Sequence, residues 1–240
     1  MIVRERMNEE TKAETLPFAI DEDGFAILPS VLPAQEIESL LTALECMPAN
    51  RSRAGVRHLM SNPVVTSVAS DPRLLGIAQS VLGSDAFPFK ATLFDKSPDA
   101  NWLITWHQDT ALPLRDKRET PGWGPWSTKV GISYGHAPAG ALERVVALRL
   151  HLDKSNHENG PLRVIPGSHR QGILSDEQVG NIVDKGEHVT CLVGQGGVIV
   201  MRPLIIHASS KSQSDKPRRV LHIEYATRDT VAAPLQLAIA

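Results

Sequence analysis

The residues of this 240-residue chain best suited to chemistry are its histidines and the carboxylates near them. Trp106-His107-Gln108-Asp109 lies in NWLITWHQD, a run of aromatic and β-branched residues that reads as a strand. On a strand, residues i and i+2 face the same way, so His107 and Asp109 can hold one metal ion between them. Two imidazoles and one carboxylate suit a non-haem Fe(II) centre, because they leave coordination positions open for a substrate and O2. The second imidazole has to come from another strand. His207, in RPLIIHASS, ends an apolar strand and opens a polar loop, where a ligand at the mouth of a barrel sits. Spacing alone does not single out this set. His151-Leu152-Asp153 repeats the pattern, and an outward-facing polar pair on an amphipathic strand accounts for either.

The elements that carry these residues are partly legible. Gly24 to Leu28 is a short apolar run. Ile37, Leu40, Leu41 and Leu44 recur at i, i+3, i+4 and i+7, which predicts an amphipathic helix with Pro33 near its first turn and Pro48 ending it. Asp71 caps a second helix, PRLLGIAQSVLG, with Pro72 in its first turn and Gly83 at its end. From Ala86 the texture changes to short strands divided by Gly/Pro turns. AFPFKATLFDK, RVVALRLHLD, PLRVIPGSH, HVTCLV, GVIVMR and RRVLHIEYA are the clearest. In the second of these Val146, Leu148, Leu150 and Leu152 fall on one face, and Arg149, His151 and Asp153 on the other. The pattern predicts a mainly β fold with flanking α-helices, of sandwich or jelly-roll type. Residues 1–16 read as a loose tail and 17–240 as a single domain. Residues 111–145 are Pro/Gly-rich and aperiodic, which predicts a lid-like functional loop.

Composition excludes several classes of function. With 42% hydrophobic residues the chain can bury a sizeable core. A net charge of −2 argues against nucleic acid or an anionic membrane surface as partner. Cys46 and Cys191 make neither a disulfide scaffold nor a zinc site, and two free thiols fit a reducing compartment. The first residues have no apolar signal-peptide core, and the apolar stretch from Cys191 to Ala208 is broken by glycines, Arg202 and Pro203. The expectation is a soluble, cytoplasmic protein acting on a small molecule, with its oligomeric state open.

From about Gly24 to Arg228 the chain resembles the phytanoyl-CoA dioxygenase family of Fe(II)/2-oxoglutarate oxygenases. The resemblance rests on GFAILPSVL followed by a helix, WHQD, LDKSNHENGPLRVIPGSHRQG, and His207 followed eleven residues later by Arg218. The order of these motifs makes WHQD the metal motif and places His151-Asp153 on the strand before NGPL. The resemblance implies a double-stranded β-helix (jelly roll, cupin-like). It implies Fe(II) on His107, Asp109 and His207, with 2-oxoglutarate as co-substrate and O2 as oxidant. Succinate and CO2 would be released as a small organic metabolite is hydroxylated. Arg218 would grip the distal carboxylate of 2-oxoglutarate, a task suited to a planar guanidinium. Arg219 points to the opposite face. Ser209 would give a second contact, with Thr105 and Lys90 as weaker pocket candidates. Trp126 would match a tryptophan that approaches the co-substrate, or else anchor its loop. Trp123, Tyr134 and His136 of the loop, and His222 on the face of Arg218, are candidates for the substrate pocket. Trp102 and Trp106 read as core, and His169 as the holder of a turn. The basic segment 51–58 reads as a solvated face or a contact for a substrate carboxylate or phosphate. Because Asp109 is present, hydroxylation is favoured over halogenation, whose enzymes replace that carboxylate. A metal-dependent cupin-type enzyme that ignores 2-oxoglutarate, and a non-catalytic binding protein, are the alternatives.

Overall fold

A computed structural model describes residues 9–45, 55–97 and 100–240. Residues 1–8, Cys46, and Arg51 and Arg53 of the basic segment lie outside the described residues. In chain order the elements are α1 (Glu9–Glu22), β1 (Phe25–Leu28), α2 (Ala34–Glu45), α3 (Pro63–Ala69), α4 (Pro72–Leu82), β2 (Phe87–Lys96) and β3 (Ile104–His107). There follow β4 (Ala111–Leu114), β5 (Trp126–Lys129), β6 (Ile132–His136), α5 (Ala139–Leu142), β7 (Val145–His151) and β8 (Leu162–Val164). The chain continues through α6 (Asp176–Lys185), β9 (Val189–Thr190), β10 (Val198–Met201), β11 (His207–Ser209) and β12 (Arg218–Ala226). Among the described residues no helix is long and apolar enough to cross a membrane.

The strands form a major sheet, β1-β10-β7-β12-β2, and a minor sheet, β3-β11-β8-β9, both antiparallel. This is the expected jelly roll. Alternation divides the major sheet into two chemically different faces. On one face Val146, Leu148, Leu150, Leu152, Leu221, Ile223 and Tyr225 pack under the helices, against Ile20, Ile37, Leu40, Leu44, Leu74 and Ala78. Full burial of each such aliphatic side chain stabilises the fold by about 1.5–3 kcal/mol. The other face, turned toward the minor sheet, is unusually polar. Arg149 pairs with His222 across β7 and β12, and Lys96, Thr92 and Lys90 of β2 stand opposite Arg218, His222 and Glu224.

The two anticipated helices form as α2 and α4, the first with its expected end at Pro48 outside the described residues and the second with the caps expected of it. The Asp71 side chain accepts the backbone N–H of Arg73, with Pro72 in the first turn and Gly83 at the C-cap at φ +102°. Residues 9–16 are a correction. They belong to α1 rather than to a loose tail, and Leu16 and Ile20, one turn apart, are buried in the core. Tertiary burial supports a helix whose own apolar stripe is too sparse to announce it.

The segment 111–145 is also built differently from the expected structureless loop. β4, β6 and β5 pair into a third antiparallel sheet. Lys129 pairs with Ile132, so Val130-Gly131 is a two-residue turn, with φ of +48° and +80° at its two positions. The usual sequence signature has Asn or Asp where this chain has Val, so the hairpin was not legible. Pro113 further disguises β4, an edge strand that tolerates it. The C-terminal residues stitch this sheet to the major one. Ala238 N–H donates to Pro113 O, while Ala240 exchanges backbone hydrogen bonds with Phe89 and Ala91.

A β-branched side chain at positive φ is strained. Val130 is 73% exposed, so its replacement loses no packing. Val130→Asn is expected to stabilise the fold by about 1 kcal/mol, read as a raised thermal midpoint with an unchanged circular-dichroism spectrum.

Candidate metal centre

His107 on β3 and His207 on β11 are direct partners in the antiparallel register, which brings their ring centroids to 4.3 Å. Each ring is oriented by its own backbone. His107 Nδ1 lies 2.8 Å from Thr105 O, and His207 Nδ1 lies 2.9 Å from Ile205 O. A carbonyl only accepts, so both Nδ1 atoms carry the proton and both Nε2 lone pairs are free for a metal. These Nε2 atoms lie 3.7 and 3.5 Å from the two oxygens of Asp109. The ligand atoms of all three side chains fall within 4.8 Å of one another. Burial pushes His207 down to about 4, outweighing the pull of Asp109, so the ring is neutral near neutral pH. Desolvation raises the Asp109 carboxyl, but His207, His107, His222 and Lys90 hold it well below the usual range, and it is ionised.

The ligands are braced by residues whose role the sequence did not disclose. Asp109 N–H donates to Pro203 O at 2.9 Å. Gln108, between the two ligands, donates from Nε2 to Gly172 O and Leu204 O at 2.8 and 2.7 Å, and accepts the Leu174 N–H at 2.9 Å. One amide therefore ties the metal motif to the loop before β11 and to the loop before α6. Ser168, of the PGSH motif, donates to Ile165 O and accepts the Ile206 N–H, which fixes the strand beside His207.

The second candidate pair does not form a site. His151 makes the same kind of backbone bond, from Nδ1 to Arg149 O at 3.0 Å. Its expected partner Asp153 is instead bound by Arg219, with Nε at 2.8 Å from Oδ2 and Nη2 at 3.0 Å from Oδ1. Among the described residues no carboxylate joins His151, and burial followed by the charges of Arg149 and Arg218 pushes it down to about 3.

The polar face of the major sheet holds a concentration of buried positive charge. Arg218 is 2% exposed and Lys96 is fully buried opposite it. Lys96 Nζ donates to Ser209 Oγ at 2.9 Å and to Ser210 O, with the Trp102 ring 5.4 Å away. Arg149 donates from Nη1 to His222 Nδ1 at 3.1 Å. Among the described residues no carboxylate lies within ion-pair distance of Lys96, Arg149 or Arg218. Arg149 Nε, Arg218 Nε and Thr92 Oγ1 are buried without a hydrogen-bond partner. Burial, then Arg218 and Arg149, pushes Lys96 down to about 7, and burial likewise lowers both arginines. Buried donors and charges left open in this way call for an anionic ligand. A dicarboxylate fits the residues present.

The remaining candidates divide. His222 lies on this face, and Ser209 of β11 reaches it through Lys96. Lys90 does not join Arg218. It pairs with Glu224 at 2.6 Å, and six residues of extended strand, roughly 20 Å, separate it from Lys96. The Thr105 side chain is exposed and offers the site only its carbonyl. Trp123 and Trp126 pack against Phe89, Leu112 and Leu114 and close over Gly135, where a Cβ would come within 3.1–3.3 Å of their rings. They are anchors of the third sheet. Trp106 packs beside Ile165, Val179 and Ile206 as core. Trp102 lies before β3 begins and covers Lys96 instead of sharing a strand face with Trp106. His136 is exposed and bonds Thr110 Oγ1 at 2.7 Å. His169 contacts Asp21 O at 3.2 Å and fills the space above Gly24, the structural part expected of it. Tyr134 is buried and meets His58 Nε2 at 2.9 Å, so His58 is not on a solvated face. Lys96, Arg149, Glu224 and Gln108 were missed. The first three become visible only when Arg218 is paired across the sheet.

Comparison with known proteins agrees with this geometry. The chain is 26% identical to L-proline trans-4-hydroxylase of Streptomyces griseoviridis, covering 89% of this chain and 87% of that one. It is 21% identical to ectoine dioxygenase of Halomonas elongata, over 87% and 68% of the two chains, and spans 48% of the length of the Bordetella bronchiseptica ectoine dioxygenase. Its fold is shared with EctD from S. alaskensis with bound Fe, at TM-score 0.68 and 20% identity over 98% of this chain and 83% of that one. The 2-oxoglutarate-dependent epimerase SnoN superimposes at TM-score 0.69, with 19% identity over 97% and 96% of the two chains. Residues 20–220 match the family described as phytanoyl-CoA dioxygenase, and the chain belongs to that family.

Proposed function

We propose that the protein is an Fe(II)- and 2-oxoglutarate-dependent dioxygenase that hydroxylates a small organic metabolite. One observation carries the reading. A converged His-Asp-His set faces a buried, anion-free cluster of Lys96, Arg149 and Arg218. The first suits the metal and the second a dicarboxylate co-substrate.

His107 Nε2, the Asp109 carboxylate and His207 Nε2 would hold the iron. When bound, the iron supplies O2 activation coupled to oxidative decarboxylation of 2-oxoglutarate to succinate and CO2. Arg218 and Lys96 bind the distal carboxylate, and Ser209 orients Lys96 beside it. Arg149 and His222 line the floor between that carboxylate and the metal ligands. The third sheet, held down by Trp123 and Trp126, walls the site and selects the substrate. Burial of Lys96, Arg149, Arg218 and His222 between the sheets excludes water from the co-substrate end of the site.

The test is succinate formation by purified protein supplied with Fe(II), 2-oxoglutarate and O2. Asp109→Ala is expected to abolish it, and full turnover by that variant overturns the reading. Arg218→Ala is expected to weaken 2-oxoglutarate binding far more than metal binding. An unchanged 2-oxoglutarate affinity would favour the cupin-type alternative that ignores this co-substrate.

Gln108→Ala removes the brace of the metal motif without removing a ligand. It is expected to weaken metal affinity about 10- to 100-fold, measured by calorimetric titration with Zn(II).

Lys96 gives a pH signature. Its folded value lies near 7, below the ordinary 10.5, so the unfolded chain holds more protons between these values. Stability of the ligand-free protein therefore rises with pH across that window. A bound dicarboxylate restores the proton, so 2-oxoglutarate affinity is expected to fall by up to about tenfold per pH unit above about pH 7. Lys96→Met should flatten that slope in a calorimetric titration.

A further inference from the structure

One end of the site serves neither the metal nor the co-substrate. Tyr134 of β6 is 1% exposed, with Lys129 Nζ 4.6 Å and Lys90 Nζ 5.7 Å from its ring centroid. His58 stacks beside it at 6.0 Å and 21°, its Nε2 lying 2.9 Å from the Tyr134 hydroxyl. Arg57, next to His58, adds a third cation whose charge acts on the phenol. Lys90 is answered by Glu224 at 2.6 Å. Among the described residues neither Arg57 nor Lys129 has a carboxylate within ion-pair distance.

This cluster adjoins the metal centre. Glu224 Oε1 contacts His222 Nε2 at 3.1 Å, and His222 Nδ1 meets Arg149 at 3.1 Å, so one polar line runs from Tyr134 across the floor of the site. The charge of Asp109 reaches both Lys90 and Lys129. Burial, then Lys90 and Arg57, pushes Lys129 below the ordinary lysine value. Burial, then Arg57, Lys90 and Lys129, likewise lowers His58. These cations disfavour one another, and packing alone gives no reason to gather them. The backbone is also held in a sparsely populated conformation here. His58 has φ +61°. Strain of this kind concentrates where side chains are aimed at a ligand.

Resting on the dioxygenase reading above, we propose that the prime substrate carries a carboxylate, which Arg57 and Lys129 bind over the Tyr134 ring. Arg57 supplies the planar donor fork and Lys129 a point charge. His58 and the Tyr134 hydroxyl position the phenol beneath them. Lys90 belongs to the floor through Glu224. A substrate anchored at this end lies between the cation pair and the metal ligands, with its unactivated carbon toward the iron.

The test uses the Zn(II)-loaded protein saturated with 2-oxoglutarate, with benzoate and its uncharged counterpart benzamide as probes in ligand-observed NMR titrations. Benzoate is expected to bind and benzamide to bind about tenfold more weakly or not at all. Arg57→Gln and Lys129→Gln should each weaken benzoate about tenfold or more, with the loss falling on benzoate rather than on 2-oxoglutarate. A weakened benzoate site in a protein of unchanged thermal midpoint supports the proposal. No saturable benzoate binding, equal binding of the two probes, displacement of benzoate by added 2-oxoglutarate, or full affinity in both variants overturns it. Succinate formation by the Fe(II) enzyme is read separately. Its absence, with benzoate selectivity intact, overturns the dioxygenase reading and leaves the anion site standing.

Discussion

Three cationic side chains, Lys96, Arg149 and Arg218, are buried on one face of a sheet, and among the described residues no carboxylate lies within ion-pair distance of them. Taking an ion out of water costs several kcal/mol even after the protein relaxes around it. Lys96 partly escapes by losing its proton near pH 7, but the guanidiniums have no such route. The fold tolerates this because the opposite face of the same strands is almost entirely aliphatic and fully packed under helices. The charge is held in place by hydrophobic burial a few ångströms away, on alternate residues of β7 and β12.

That arrangement lets the two halves of the site be built independently. The candidate metal ligands lie on the minor sheet and its flanking loop, where β3 and β11 bring the two imidazoles together at a 49° tilt. The buried cationic cluster belongs to the major sheet, with Ser209 reaching across from β11 to Lys96. Gln108, Ser168 and the backbone carbonyls of Thr105 and Ile205 set the first half without touching the second. The two sets meet at β11, which carries both His207 and Ser209.

The parts legible in the sequence were those fixed locally. The helix at Asp71–Gly83 follows from its caps, and the strand containing Arg149 and His151 from its alternation. His107 and Asp109 were visible as a pair because a strand places them together. Choosing them over His151 and Asp153 took motif order, since spacing is the same in both. The structure supplies the physical difference, which is that Arg219 already holds Asp153. Lys96 and Arg149 were not legible because their importance depends on cross-strand register, and register is a property of two segments far apart in sequence. Lys90 was chosen in place of Lys96 for the same reason: both lie on one face of β2, and only pairing with β12 tells them apart. The third sheet was hidden by a valine where a hairpin turn ordinarily has asparagine.

The bond between Asp153 and Arg219 is two-pronged, with each side chain about a fifth exposed. It has a consequence for identity as well as for energy. Arg218 and Arg219 are adjacent and chemically alike, and a slip of β12 by one residue would present the wrong one to the interior. The two-pronged grip of Asp153 accepts only the arginine on its own side. It labels one of two interchangeable side chains as outside, and so designates the other as the one facing in.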